Sequence, residues 1–244
     1  MKLALSGYGR MGPAIEAAAR ERGHDVVARL DHGDAIDRKS LAGAEAAIDF
    51  TLPDAVLGNA RRVCEAGVDL VIGTTGWYDR MEELRTLIGG AGIGCLWSPN
   101  FSIGVQLFLR IAAAAGKLAD ALEEYDLYVH EAHHRHKVDH PSGTALRLAE
   151  VVLEAVGRKK EWREGPPSGA PDPSVLWVSA TRAGEIPGIH ELGLEGPADS
   201  IVLRHTARGR DGFARGAVAG AEWVKGRKGL FGMDDMLAER LGAI

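Results

Sequence analysis

Cysteine is nearly missing from this 244-residue chain, which carries only Cys64 and Cys95. One pair cannot build a disulfide framework, and cysteine alone cannot supply the four ligands of a tetrahedral zinc. An excess of positive charge is missing too: 29 Lys and Arg oppose 34 Asp and Glu, a formal net charge of −5. General binders of nucleic acid or of anionic membrane need the opposite balance, so neither partner is expected. No uncharged run approaches the ~20 residues of a membrane-spanning helix. The apolar stretch after Lys2 ends at Gly7, too short for a secretory signal. The expected compartment is the cytoplasm. The surplus is in glycine, at 32 residues, roughly twice the average share. A Gly-X-Y period is absent, so each glycine must be explained by a bend or a close approach at its own position.

The first hundred residues alternate in period. Lys2–Ser6, Val26–Leu30, Ala46–Thr51, Leu70–Gly73 and Ile93–Trp97 read as strands, and Arg10–Arg22, Asp54–Ala66 and Asp79–Ile88 as helices. Strands alternating with helices of this length imply parallel pairing through crossover connections. After Pro99 the rhythm changes. A long helix, Ile103–Leu122, precedes a strand, Tyr125–Ala132, and a helix, Thr144–Val156. Arg158–Pro173 reads as a polar surface loop, followed by strands at Val175–Thr181, Gly188–Leu194 and Ser200–Ala207. Helices at Ala214–Lys225 and Asp234–Leu241 close the chain and are expected to return to the first domain. The expected fold is α/β, a Rossmann-like doubly wound parallel sheet with an inserted α+β domain. Its boundaries are placed at 1–103, 104–210 and 211–244.

Gly7-Tyr8-Gly9-Arg10-Met11-Gly12 fills G-x-G-x-x-G between a predicted strand and a predicted helix. In that context the glycines allow a tight turn, close approach to a pyrophosphate and close packing of the helix. The helix N-terminus offers N–H groups to phosphate. Asp31 ends the second strand, 19 residues after Gly12, where a carboxylate would accept hydrogen bonds from an adenosine ribose. NADH or NADPH is therefore expected, with Asp31 leaning toward NADH; Arg10 and His32 leave room for a 2′-phosphate. Gly73-Thr74-Thr75-Gly76 and Ser98-Pro99-Asn100-Phe101 follow the fourth and fifth strands, at the end of the sheet where ligands bind.

Five of the nine histidines fall between His130 and His140. His130-Glu131-Ala132-His133-His134 matches the zinc pattern H-E-x-x-H, which works only on a helix. On the strand expected here His130 and His134 would stand ~13 Å apart, so no metal is expected. The segment reads instead as a catalytic and anion-binding loop. His133, His134 and Lys137 can supply protons or positive charge near neutral pH. Pro141-Ser142-Gly143-Thr144 then opens a helix whose hydroxyls and N–H groups suit a carboxylate. The expected substrate is a small dicarboxylate.

Taken in order, Gly7–Gly12, Asp49-Phe50-Thr51, Gly73–Gly76, Asn100-Phe101-Ser102, Glu131–Thr144 and Gly229-Leu230-Phe231 resemble the 4-hydroxy-tetrahydrodipicolinate (dihydrodipicolinate) reductase family. The resemblance implies reduction of that cyclic dicarboxylate in the diaminopimelate route to lysine, and a homotetramer assembled by the second domain. It implies His133 as acid/base residue and Lys137 as proton donor. Substrate contacts fall to His134, Lys137, Ser142, Gly143, Thr144 and Arg210. Cofactor contacts fall to Gly7, Tyr8, Gly9, Arg10, Met11, Gly12, Asp31, Gly73, Thr74, Thr75, Ser98, Pro99, Asn100 and Phe101. This chain departs from the family in its glycine loop, one residue shorter than the frequent G-x-x-G-R-M-G. Two other readings stand beside it: a non-catalytic nicotinamide sensor, and a related dehydrogenase of another amino-acid precursor.

Overall fold

The computed structural model describes residues 1–241, so the last three residues of the expected 211–244 segment lie outside the described residues. The strands are β1 (Lys2–Ser6), β2 (Asp25–Leu30), β3 (Ala46–Asp49), β4 (Asp69–Ile72), β5 (Gly94–Trp97), β6 (Asp126–His133), β7 (Glu161–Glu164), β8 (Val175–Arg182), β9 (Ile189–Glu195), β10 (Ser200–Thr206) and β11 (Gly229–Gly232). The α-helices are α1 (Gly12–Glu21), α2 (Val56–Ala66), α3 (Met81–Ala91), α4 (Ile103–Asp120), α5 (Gly143–Ala155), α6 (Asp211–Val224) and α7 (Met233–Leu241). They fall into two compact units, Met1–Ser102 together with the chain from Arg210 onward, and Ile103–Gly209.

The first unit holds a six-stranded sheet in the order β11-β5-β4-β3-β1-β2, parallel throughout. Its central strands are buried almost end to end: Leu3, Ala4 and Leu5 in β1, Ala46, Ala47 and Ile48 in β3, Leu70, Val71 and Ile72 in β4. Such unbroken apolar runs mark strands covered on both faces. Strand order reverses between β1 and β3, which makes their carboxyl ends the switch point where open α/β sheets bind ligands. The C-terminal α6 packs beside α1 and over β3, β4 and β5, and small residues allow this. A Cβ at Gly216 would stand 1.7 Å from the Phe101 carbonyl oxygen, and one at Gly220 would stand 2.7 Å from Leu96 Cδ2.

The second unit is a mixed five-stranded sheet, β10-β9-β6-β8-β7. Its centre, β6, runs antiparallel to β9 and parallel to β8. Helices α4 and α5 pack together and on this sheet. Phe108, Ala112, Leu148 and Val152 meet Leu127, Val129 and Val178 in one apolar core.

Three differences from the sequence reading matter. The segment Arg158–Pro173 is not loop throughout, since β7 lies inside it, paired with β8. Its sequence, Glu-Trp-Arg-Glu, has a single apolar residue, so an edge strand exposed on one side leaves little pattern to read. Just before it, Lys159 is buried, its ammonium bonded to the Pro173 and Val175 carbonyls and to Asp126. Strand β11 was not expected either, being four residues with two glycines. Most consequential, β6 continues through His133, so that residue ends a strand where a loop was expected.

Replacing Gly216 by Ala should lower stability by about 2 kcal/mol or more, because the blocking atom is backbone that cannot swing aside. Helix propensity alone would favour the change by about 1 kcal/mol. Urea unfolding of Gly216→Ala separates the two, and a stabilised variant would show that α6 can move away from Phe101.

Candidate active site

In the first unit, loops at the carboxyl ends of β1, β2, β3 and β4 border a cleft of about 1030 Å³. Gly7, Gly9, Arg10 and Met11 line it, with Asp31 to Ile36, Phe50 to Leu52, Asn59 and Arg62 of α2, and Gly73 to Thr75. Glycine is required where these loops cross. Gly7 has φ +90°, and its Cβ would fall 2.2 Å from the Phe50 carbonyl oxygen; a Cβ on Gly73 would fall 2.1 Å from Phe50 Cζ. Gly9 faces open space. Met11, the N-cap of α1, makes no side-chain hydrogen bond to the helix, so an anion in the cleft can satisfy the first turn. A glycine cradle, an uncapped helix start and a carboxylate after β2 fit a nicotinamide dinucleotide.

Two polar networks hold that cradle. The Asp49 carboxylate, at the end of β3 and 2% exposed, accepts hydrogen bonds from Thr74 Oγ1 and Thr51 Oγ1, both at 2.8 Å, and from Asn59 Nδ2 at 2.9 Å. Burial pushes its pKa up against these bonds. Two loops of the cleft and helix α2 are thus tied to one group. Beneath the glycine loop, Tyr8 donates from its hydroxyl to Glu16, and Arg29 clasps the same carboxylate at 2.5 and 2.6 Å. The Arg29 bonds outweigh burial and, with Tyr8, hold Glu16 at a pKa of about 2. The Tyr8 ring then fills the space a Cβ on Gly12 would need, 2.7 Å from that position.

In the second unit, Glu131 and His133 are two apart on β6 and share a face. The ladder places Arg182 of β8 opposite His133 and His190 of β9 opposite Glu131. Glu131 is fully buried. Its Oε1 accepts from Arg182 at 2.7 Å and from the Ser142 amide at 3.1 Å. Its Oε2 lies 2.9 Å from the second Arg182 nitrogen and 2.5 Å from His133 Nδ1. Burial alone would raise this carboxyl, but the bonds from His133 and Arg182 outweigh it and hold the pKa at about 2. His190 goes the other way: burial, then the neighbouring His133, lower it to about 3, so it is neutral. Its Nε2 meets Ser142 Oγ at 3.1 Å, and the same oxygen caps α5 by accepting from the Ala145 amide. Beyond the strand, Lys137 Nζ donates to Asp139 at 2.9 Å, and His134 Nδ1 is buried without a hydrogen-bond partner among the described residues.

Of the residues singled out from the sequence, Gly7, Gly9, Arg10, Met11, Asp31, Gly73, Thr74 and Thr75 border the cleft. Tyr8 and Gly12 lie outside that lining, stacked against each other. Ser98 is buried and engages the Asn100 backbone through its hydroxyl, while the Phe101 ring is in the core. His133 and Ser142 meet around Glu131, with Gly143 opening α5. Arg210 belongs to the first unit, at the start of α6. Among the described residues no three His, Cys, Asp or Glu side chains are grouped to hold a metal. Sequence reasoning passed over Arg182 and His190, which reach the site only through strand pairing. Glu131 and Asp49 had no role assigned from the sequence, although an acid two residues before a histidine on a strand is a usable signal.

The family model described as dihydrodipicolinate reductase, N-terminus, matches residues 1–101, and that described as dihydrodipicolinate reductase, C-terminus, matches residues 104–237. A 4-hydroxy-tetrahydrodipicolinate reductase of Christiangramia forsetii is 36% identical over 241 residues, covering 98% of each chain. That of Laribacter hongkongensis is 40% identical over 206 residues, covering 82% of this chain and 76% of its own. A dipicolinate-bound dihydrodipicolinate reductase from Paenisporosarcina sp. TG-14 has the same fold, with a TM-score of 0.79 at 24% identity over 97% of this chain and 99% of its own.

The lowered pKa of His190 has a consequence for stability. A histidine near 6.5 when unfolded but near 3 when folded binds protons preferentially in the unfolded chain, so folding weakens as pH falls below about 6.5. Between pH 7 and 5, above the carboxylate range, a His190→Gln variant should show a flatter decline in urea midpoint than the parent. Parallel curves for the two proteins would mean His190 does not contribute.

Proposed function

The chain belongs to the dihydrodipicolinate reductase family, and from that premise we propose how its residues divide the work. It reduces 4-hydroxy-tetrahydrodipicolinate to tetrahydrodipicolinate with a nicotinamide cofactor. Replacing a C–OH by C–H consumes one hydride and one proton and releases water. When bound, a nicotinamide would supply the hydride. The protein must hold both ligands, deliver the proton and keep the carboxylates in place.

The first unit is the dinucleotide-binding domain. Gly7, Gly9 and the start of α1 receive the pyrophosphate, Asp31 the adenosine ribose, and Gly73–Thr75 with Ser98–Phe101 the nicotinamide end; the glycine cradle and the cleft support this. In the second unit His133 is the acid/base residue and Lys137 the proton donor. His134, Lys137 and the Ser142-Gly143-Thr144 turn bind the substrate carboxylates at the start of α5. The observation that carries this reading is the His133 imidazole held on a fully buried carboxylate beside that helix start. Arg210 as a substrate contact rests on the family resemblance alone.

The preferred cofactor is NADH, because the Asp31 carboxylate repels a 2′-phosphate. Assembly is homotetrameric through the second unit; exposed Ile201 and Val202 on β10 and Ile111 and Leu118 on α4 support it. The protein works in the cytoplasm, where the nicotinamide pool is.

Steady-state assays with NADH and NADPH side by side should give the higher kcat/KM with NADH, and Asp31→Ser should narrow the gap. A parent enzyme that prefers NADPH would overturn the role of Asp31. Lys137→Ala and His133→Ala should each lower kcat by ~10²-fold or more with little change in cofactor affinity. Near-normal turnover in both would refute the assignment of roles.

A further inference from the structure

His133 has two ring nitrogens, and the site treats them differently. Nδ1 lies 2.5 Å from Glu131 Oε2. That oxygen and its partner also receive two Arg182 nitrogens and the Ser142 amide, all of which can only donate. A carboxylate surrounded by such donors stays ionised and only accepts, so the hydrogen at this contact must sit on Nδ1. The other nitrogen, Nε2, lies against Gly188, where a Cβ would stand 3.1 Å away. Gly188 has φ +132°, so glycine is doubly required there: for the backbone conformation and to keep a side chain off Nε2.

We propose that Glu131, clamped by Arg182, is the positioning residue that fixes His133 as its Nδ1–H tautomer and leaves Nε2 as the nitrogen that exchanges the proton. This rests on the reading of His133 as the acid/base group. Neutral His133 then carries its lone pair on Nε2 and can take a proton there. The imidazolium that forms keeps its Nδ1–H on Glu131 and returns the proton from Nε2. Neither transfer requires the ring to turn over. Neutral His190 across the ladder adds no competing cation on this face, and its hydrogen bond to Ser142 joins the same cluster to the start of α5. Arg182 acts one step further out, by holding both carboxylate oxygens at once, as a bidentate guanidinium does.

The test is Glu131→Gln. At Oε1 the amide must present its oxygen, because a backbone N–H and an Arg182 nitrogen both donate there. Its NH2 therefore replaces Oε2, where only one Arg182 bond is given up, and faces His133 Nδ1, which must become an acceptor, moving the hydrogen to Nε2. Nitrogen-15 NMR of histidine-labelled protein, with His133 assigned by its loss in His133→Ala, should show neutral His133 protonated at Nδ1 in the parent and at Nε2 in the variant. The kcat of Glu131→Gln should fall at least ~10-fold, with the cofactor KM changed less than about twofold. In a His133→Ala background the same substitution should cost nothing more, as expected for a residue acting through His133.

A parent ring protonated at Nε2 would overturn the proposal even if the variant failed to fold. So would a tautomer unchanged by Glu131→Gln, an unchanged kcat, or a full additional loss in the His133→Ala background. The NMR measurement needs no substrate, so it separates the two ideas. Normal turnover by His133→Ala would remove the acid/base reading of that residue, whereas the wrong parent tautomer would remove the assignment to Glu131 alone.

Discussion

A carboxylate with no solvent exposure is costly to bury unless its charge is met on every side. Glu131 is such a group, at the centre of the second sheet, and its surroundings follow from that cost. Arg182 comes from the parallel neighbour β8, the Ser142 amide from the turn that starts α5, and His133 from two residues along the same strand. Removing one partner would leave a buried charge short of a hydrogen bond, so the four act as one arrangement. The strand pairing, the entry angle of α5 and the orientation of the imidazole are set together. A polar cluster on two adjacent strands and a helix start inherits the rigidity of the sheet, which a loop could not give it.

The cleft of the first unit is organised by the same physics with different chemistry. At the β1–β3 switch point Gly7 passes against the Phe50 backbone and Gly73 against the Phe50 ring, and neither leaves room for a Cβ. Having given up side chains there, the loops need other ties. Asp49 supplies them through Thr51, Asn59 and Thr74, from a position too buried to meet a ligand directly. In both units a buried acid holds the elements that present the outward groups.

Periodicity carried the alternation of the first hundred residues, because long amphipathic helices and fully buried strands leave strong and distinct patterns. It failed at β7 and β11, which are short, at sheet edges and poor in apolar residues. For the candidate site, residues close in sequence could be singled out from the chain alone: the glycine loop that borders the cleft, and His133 and Ser142, which meet around Glu131. Arg182 and His190 were not, since they lie about fifty residues or more downstream of their partners and are brought back only by the register of β8 and β9. The reason for Gly12 also changed. Close packing of helix on strand was the expected demand, whereas the nearest obstacle is the Tyr8 ring.

That ring gives the short glycine loop a meaning beyond its own length. Tyr8 reaches Glu16 from the second position of the loop, and Arg29 meets the same carboxylate from β2. One more residue between Gly7 and Gly12 would shift the side chain at position 8 off Glu16. The loop, the first helix and the second strand therefore form a single exchangeable module. A chimera that imports a longer loop has to import its own occupant for the space between Gly12 and Glu16 as well.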